Sequence, residues 1–332
     1  MTRNRAIIIV TAGVAAVISG AIASCVPAES QDDGPGSSPR TQAEFDEMFE
    51  ELNNWGRWGD DDEQGTFNLI TPETSQAAAE LVERGISVSL SHNPMTEDAA
   101  DNTGSFEHVM GENLRSDTYR FTYHGYAVSH LDALCHFEHK GLLYNGVPLT
   151  ASSPDGCGKL GIENLKSGIV TRGILLDIPR LKGVPYLEPA TPVYTTDIEA
   201  WEAQAGITVS AGDVVFLRTG RWARRAELGP WELSGNSPGI HASVVRWIKE
   251  RDVAFFGSDT ALDVQPSLVE GVNLPVHTLL IAGLGMNIFD NVDLEALAET
   301  SAQENRWEFM LTAGPIPVTG GTGSPLNALA IF

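Results

Sequence analysis

The chain has 332 residues, and 44 acidic against 21 basic side chains give it a formal net charge of −23 at neutral pH. Because so acidic a protein repels phosphate backbones, we expect no nucleic-acid partner. The roughly 290 residues after position 41 show no internal repeat and no second linker, and this length is compatible with one domain.

Residues 1–24 have the layout of a bacterial secretory signal, in which basic residues precede an apolar run and a few small residues. The end of this run, up to Cys25, resembles a lipobox, whose cysteine becomes the lipidated first residue of the mature protein. We therefore expect an exported protein that is lipid-anchored at the cell envelope, outside the cytoplasm. A single transmembrane helix is the alternative, since the apolar run is close to the shortest that spans a bilayer.

Residues 25–41 are polar and rich in Pro, Gly and Ser, which predicts a flexible stalk before a folded domain at 42–332. In that domain, β-branched runs and helix-like stretches alternate irregularly, which indicates a mixed α/β fold. The predicted strands are Ile86–Leu90, Tyr119–Tyr123, Gly173–Asp177, Asp213–Leu217 and Val253–Phe256. The predicted helices are Gln42–Leu52, Pro72–Arg84, Thr196–Ala205, His241–Arg251 and Leu294–Gln303.

The segment from Ser129 to Phe137 concentrates metal-capable side chains: His130, Asp132 and His136. In a strand these even-numbered residues share one face, and the Cα atoms of His130 and Asp132 lie roughly 7 Å apart, close enough for both side chains to reach one cation. His136 would be roughly 20 Å from His130 on a straight strand, so its participation assumes a bend. Imidazole and carboxylate suit zinc, manganese or ferrous iron. A hydrogen-bonded polar strand is the alternative.

After Cys25, the chain contains only Cys135 and Cys157. At most one disulfide is therefore possible in the oxidising space outside the cytoplasm. Cys135 is expected to face away from the histidines, which favours a packing role over metal ligation. A lone nucleophilic cysteine is a minor alternative.

Further along the chain, His277 and Asp290 flank a buried apolar stretch. Taken alone, His277 would be a core or capping histidine. It becomes a candidate ligand only in combination with the cluster of His130, Asp132 and His136.

These segments together resemble the metal-dependent cyclase family, which includes bacterial kynurenine formamidase, isatin hydrolase and a dienelactone hydrolase. The signature-like stretch runs from His130 to His136 and continues at Tyr144-Asn145-Gly146. The resemblance spans nearly everything after the stalk, and it implies a single domain with the family's swivelling β/β/α fold. Family members commonly self-associate, so a homo-oligomer is expected. Other matching segments are 55–59, 65–70, 173–177, 212–220, 257–259 and 320–325.

The family pattern is His-x-Gly-Thr-His-x-Asp-x-Pro-x-His, in which the first two histidines and the aspartate bind metal and the last histidine transfers protons. Carried over, the resemblance implies that His130 and Asp132 are ligands and that His136 is the acid/base residue. The first histidine of the pattern falls on Tyr126. Either His124 replaces it after a backbone bulge, or Tyr126 ligates as tyrosinate, which requires its pKa to fall far below about 10.

In two-metal members a later histidine and an acidic residue complete the site. The resemblance places these on His277 and, with a shorter acid and less sure register, on Asp290. The implied cofactor is a divalent metal, zinc or manganese, that lowers the pKa of its bound water from about 15.7 toward about 7. His136 would take the proton of that water. The expected reaction is hydrolysis of a small, often cyclic amide, lactam, lactone or N-formyl amide.

Candidate substrate contacts are Trp58, Arg218 and Tyr126, since ligand sites combine apolar walls with a few polar groups. Core packing is the alternative for the tryptophan, and a structural ion pair is the alternative for Arg218. Asp259 and Asp263 could each orient a histidine or cap a loop. The alternative function is a lipid-anchored small-molecule-binding protein that has lost catalysis through the change at Tyr126.

Overall fold

The computed structural model describes residues 38–332. The predicted signal at 1–24, the lipidation site Cys25 and most of the predicted stalk lie outside the described residues. Among residues 38–332, none of the helices combines the length and apolar character needed to cross a membrane.

The described chain is a mixed α/β domain, which confirms the predicted fold class. The strands are β1 Ser87–Ser89, β2 Glu107–Met110, β3 Asp117–Arg120, β4 His130–Asp132, β5 Ser152–Ser153, β6 Gly156–Cys157, β7 Ile169–Asp177, β8 Pro192–Val193, β9 Val214–Arg218, β10 Gly239–Ile240, β11 Phe255–Ser258, β12 Ile288–Asp290, β13 Glu308–Ala313, β14 Gly323–Pro325 and β15 Leu329–Ile331. The α-helices are α1 Gln42–Leu52, α2 Pro72–Ala79, α3 Ile178–Lys182, α4 Thr195–Ala205, α5 Arg221–Leu228, α6 Val244–Glu250, α7 Pro275–His277 and α8 Glu295–Glu304, and a π-helix at Thr278–Leu284 follows α7.

A nine-stranded sheet organises the domain, in the order β1-β15-β13-β7-β9-β11-β12-β4-β14. Its central strands β7, β9, β11 and β12 run parallel, and the strands on either side of them pair antiparallel. Residues 214–218, 255–258 and 288–290 are buried throughout, as expected for parallel strands that are covered on both faces. The run of apolar residues in each central strand is therefore core.

Helix α1 shows how local sequence sets an element. Thr41 accepts a hydrogen bond from the backbone of Glu44, and the Glu44 side chain accepts one from the backbone of Thr41, which forms a capping box. The helix buries one stripe, formed by Phe45, Met48, Phe49 and Leu52, against the π-helix region.

Every predicted element overlaps an observed one, and two helices differ from the prediction by three residues or more at one end. The helix predicted to reach Arg84 ends at Ala79, because the chain then turns so that Arg84 and Gly85 donate to the carbonyl of Phe332. The helix predicted from His241 begins at Val244, because the backbone of His241 donates to Val193 in extended pairing.

Candidate metal centre

Strands β4 and β12 bring the first side chains together. Asp290 pairs with His130 in the antiparallel register, so their side chains share a face of the sheet. Asp132 lies two residues beyond His130 and therefore faces the same side. All three are at least 96% buried, in the part of the sheet that β14 borders on the other side.

His124 enters from the loop before β4. Its Nδ1 atom lies 3.2 Å from Oδ1 of Asp132, and its Nε2 atom lies 2.9 Å from the hydroxyl of Thr322. His130 places Nε2 3.4 Å from the same Asp132 oxygen, while its Nδ1 atom lies 2.8 Å from the carbonyl of Val128. Because a carbonyl only accepts, Nδ1 of His130 carries a proton, and Nε2 is the ring nitrogen that faces Asp132.

His277, at the end of α7, completes a second group. Its Nε2 atom lies 3.3 Å from Oδ2 of Asp290 and 4.0 Å from Oδ2 of Asp132. Its Nδ1 atom lies 2.5 Å from Asp263, which also accepts from the backbone of Val276 and His277. Asp263 therefore orients His277, one of the two roles considered for it from the sequence.

Asp259 has the capping role that the sequence analysis considered as the alternative. Its carboxylate accepts hydrogen bonds from the backbone of Thr219, Gly220 and Arg221 at the start of α5, and from the Thr219 hydroxyl. This is a helix-capping arrangement and involves no histidine.

His136 reaches the cluster through the bend that the sequence argument assumed. The strand ends at Asp132, and the backbone of His136 donates to Ala133 across a turn. The His136 ring then stacks on His124, with ring centroids 3.9 Å apart and planes 9° apart. Its Nε2 atom is 3.8 Å from Oδ2 of Asp132. Next to it, Cys135 is buried in the core, which confirms the predicted packing role. It also forms with Cys157 the one disulfide that the sequence allows after Cys25, so the nucleophile alternative is wrong.

The residues present fit a divalent cation. Ligand atoms of His124, His130 and Asp132 all lie within 4.8 Å of one another, as do those of Asp132, His277 and Asp290. Nδ1 of His124 and Oδ1 of Asp132 lie 3.2 Å apart but are not aligned for a hydrogen bond. Neither these two atoms nor the buried Oδ1 of Asp290 has a hydrogen-bond partner among the described residues. Such atoms are costly to bury unless something else satisfies them. Nitrogen and carboxylate ligands around a shared aspartate are suited to one or two such cations.

The electrostatics follow from burial and proximity. Burial alone raises the pKa of Asp132, but the adjacent His136, His124 and His130 hold it below its usual range. Burial lowers the pKa of His136 to about 4, against the attraction of Asp132. Burial also opposes protonation of His277, yet the carboxylates of Asp290 and Asp263 raise its pKa well above the usual value.

Tyr126 does not join either group of candidate ligands. It lines a cleft of about 320 Å³ together with His124, Asn102, Thr122 and Glu232. Burial raises the pKa of Tyr126, whereas a tyrosinate ligand requires the opposite shift. The geometry therefore places His124, and not Tyr126, where the missing ligand is needed.

The other two predicted substrate contacts lie elsewhere. Arg218 binds the carboxylates of Asp177 and Glu295, and it ends β9, which is three strand positions, or about 14 Å, from β4. The structural ion pair is thus its role, and the substrate-contact prediction is not supported. Trp58 is half-buried beneath the guanidinium of Arg57 and is absent from the walls of the clefts that His124 and His136 border.

Sequence reasoning missed several supporting contacts. Thr322, which bonds His124, lies in the segment 320–325 that matched the family, and that match was the available signal. Asn287 donates to the backbone carbonyl of Asp132 over 2.7 Å, and no pattern in the sequence singles it out. His136 also lines a cleft of about 630 Å³ with Phe137 and Leu274.

The Cyclase family model matches residues 74–263 of this chain. A solved structure described as a novel cyclase is 34% identical with a TM-score of 0.77, over 85% of this chain and 100% of that one. Isatin hydrolase from Roseibium aggregatum is 28% identical over 141 residues. That alignment covers 40% of this chain and only 50% of the enzyme.

Two solved isatin hydrolases A have the same fold. The protein from Labrenzia aggregata, bound to benzyl benzoate, has a TM-score of 0.53 at 19% identity and covers 77% of this chain and 96% of its own. The protein from Ralstonia solanacearum has a TM-score of 0.51 at 20% identity, over 79% of this chain and 97% of its own.

Proposed function

Since the chain belongs to the Cyclase family, we propose that it is a metal-dependent hydrolase of small, cyclic amides, lactams, lactones or N-formyl amides. The observation that carries the proposal is the convergence of three histidines and two aspartates, three of whose buried ligand atoms have no hydrogen-bond partner in the part of the chain that the structure describes. The sequence similarity to isatin hydrolase supports cyclic amides and lactams as the substrate class.

His124, His130 and Asp132 would hold one cation, and His277 with Asp290 would hold a second beside the shared Asp132. A bound divalent cation lowers the pKa of water and polarises a carbonyl oxygen. Zinc and manganese both accept these ligands.

His136 is the proposed acid/base residue. Its Nε2 atom lies on the ligand side of the ring, near Asp132, and its stacking on His124 restricts rotation. Nε2 would accept the proton of the attacking water and return it to the leaving nitrogen or oxygen.

The cleft beside His124 is the proposed substrate site. Its volume of about 320 Å³ suits a small molecule. Tyr126 lies in its wall, close enough to Asp290 for that carboxylate to raise the tyrosine pKa further. The phenol hydroxyl is thus placed to bond a polar group of a substrate whose carbonyl faces the candidate ligands.

The test is metal analysis of the purified protein, followed by chelation and assays on N-formyl aromatic amines, isatin-like lactams and lactones. We expect turnover on at least one class, loss on chelation, and recovery with zinc or manganese. Retained metal with no turnover across the panel would favour the alternative of a small-molecule-binding protein that has lost catalysis.

Two histidine variants separate the roles of ligand and base. His130→Ala should lose both metal and activity, and His136→Ala should retain metal and lose most turnover. His108 offers a matched control, because it is exposed on β2 and pairs with Asp117 away from both groups of candidate ligands. A full metal complement in His130→Ala would refute the ligand assignment.

A further inference from the structure

Asn291 contacts the two chain segments that carry His124 and His130, and it lies beside Asp290 in the chain. Its backbone carbonyl accepts a 2.9 Å hydrogen bond from the hydroxyl of Ser129, the residue before His130. Its side-chain Nδ2 atom donates over 2.6 Å to the carbonyl of Gly125, the residue after His124. Asn291 is fully buried; its bond with Ser129 is buried as well, and its bond with Gly125 is partly buried.

Arg221 fixes which way the Asn291 amide points. The guanidinium donates to Oδ1 of Asn291 over 2.7 Å and also binds Asp101 over 3.3 Å. Both members of this ion pair have fully buried side chains. Because a guanidinium has only donors, the asparagine must turn its oxygen toward Arg221 and its NH₂ group toward Gly125. Of the amide and its acid analogue, only the amide satisfies both neighbours at once.

The backbone around this contact is held in conformations that few residues adopt. Asn291 has φ +54°, in the left-handed region where asparagine is among the few tolerated side chains. Its amide donates to Thr260, which fixes that conformation. Gly125 has φ +135°, which other residues avoid. The conformation of the loop that carries His124 therefore depends on contacts with other segments, such as the bond from Asn291 to Gly125.

We infer that Asn291 is a positioning residue whose side chain seats His124 among the metal ligands, through its bond to the Gly125 carbonyl. The inference rests on the proposed metal-dependent function. It accounts for a departure of this chain from the family pattern: the pattern puts a ligand histidine at position 126, but Tyr126 stands there and His124 would supply the nitrogen. The Gly125 carbonyl lies between these two residues, so holding it directs His124 toward Asp132 and Tyr126 toward the cleft.

The experiment measures zinc affinity by competition with a chromophoric chelator. Asn291→Asp keeps the shape and the bond from Arg221 but sets a carboxylate oxygen against the Gly125 carbonyl. Loss of a contact that orients a ligand typically weakens metal binding about 10- to 100-fold, and we expect a loss of that size here. Asn305→Asp is the matched control, because Asn305 shares the left-handed conformation (φ +51°) and is exposed at the end of α8. It should bind zinc as the wild type does.

A double-mutant cycle with His124→Ala separates positioning from general damage. If the Asn291 side chain acts through His124, Asn291→Asp should weaken zinc binding by no more than about twofold in the His124→Ala background. Losses that multiply in full would mean that Asn291 acts elsewhere, and would overturn the inference.

Asn291→Gly is the second variant, since glycine accepts the same backbone conformation and adds no buried charge. It should lose zinc affinity in the same direction, with Asn305→Gly as its control. Wild-type affinity in both Asn291 variants would overturn the inference while leaving the proposed function intact. A wild-type protein that binds neither zinc nor manganese would instead contradict the proposed function, and the inference with it.

Discussion

At the scale of single residues, the question that matters most is which side chain stands in for the ligand that the family pattern has at position 126. The Nδ1 atom of His124 faces Asp132 at 3.2 Å and has no hydrogen-bond partner among the described residues. The phenol of Tyr126 lines the neighbouring cleft instead. We therefore propose that His124 takes the place of the missing ligand and that Tyr126 forms part of the cleft wall.

This assignment predicts different results for two substitutions. His124→Ala should lower the metal content of the purified protein, because it removes a ligand nitrogen. Tyr126→Phe should keep the metal and raise KM, because it removes only a hydroxyl from the cleft. Metal analysis together with steady-state kinetics measures both. A larger metal loss in Tyr126→Phe than in His124→Ala would contradict the assignment.

The carboxylate behind His277 gives a second prediction. Asp263 accepts from Nδ1 of His277 and from two backbone amides, which fixes the ring so that Nε2 faces Asp132 and Asp290. Asp263→Asn should weaken binding of the second cation about 10- to 100-fold, because the charge that orients the histidine is lost. Isothermal titration with manganese would detect this. Asp252→Asn is the control, since Asp252 pairs with Arg57 at the surface. Equal affinities for the two variants would contradict the prediction.

The residue types of the candidate centre could be predicted from the sequence, but their partners could not. The alternation of His130 and Asp132 along a strand was enough to place them on one face. Arg218 follows a strand just as visibly, yet it is bound by Asp177 and Glu295, which are 41 and 77 residues away in the chain. A single sequence does not show which distant carboxylate meets an arginine, so a substrate contact and a structural ion pair look alike.

At the scale of elements, α1 and the turn after His136 form one packed unit. His139 lies in that turn with its ring 4.2 Å from the ring of Phe49 on α1, and its Nε2 atom lies 3.4 Å from Asp46. Lys140 also binds Asp46, over 2.9 Å. Helix α1 therefore supports the turn that carries the proposed acid/base residue.

This packing predicts a pH effect on stability. Burial lowers the pKa of His139, and the nearby Asp46 only partly opposes it. Below the unfolded value of about 6.5, the unfolded chain binds a proton that the folded His139 does not, so stability falls as pH falls. His139→Gln should lose less thermal stability between pH 7 and pH 5 than the wild type does. Unfolding curves at both pH values test this, and equal losses would refute it.

The boundaries of the helices show why local sequence patterns predict only part of the fold. The bounds of helix α1 can be predicted from the local sequence, because it has a capping box at Thr41 and an apolar stripe. The end of α2 is set instead by the carbonyl of Phe332, about 250 residues further along the chain, which receives the amides of Arg84 and Gly85. The order of the strands in the main sheet, in which β4 lies between β12 and β14, is likewise non-local.

At the scale of the whole molecule, the disulfide between Cys135 and Cys157 bears on where the protein works. It joins residues 22 apart, and closing a loop of that size contributes roughly 3 kcal/mol in the loop-entropy model. Disulfides persist in oxidising compartments and are rare in the cytoplasm. Export, which residues 1–24 lead us to expect, stays a prediction. Self-association stays a prediction, which light scattering can check.

The lipid anchor is the remaining prediction at this scale. If Cys25 is acylated after cleavage, acyl chains would tether the domain to the membrane. Cys25→Ser in the full chain should then move the protein from the membrane fraction to the aqueous fraction on detergent phase separation, while the Cys135–Cys157 disulfide still forms. Labelling with a clickable fatty acid should mark the wild type and spare the variant. Because the substitution leaves the candidate metal centre unchanged, hydrolysis per bound metal should be equal in both. Unlabelled wild-type protein, or a variant that remains with the membrane, would show that something other than acylation at this cysteine determines where the protein resides.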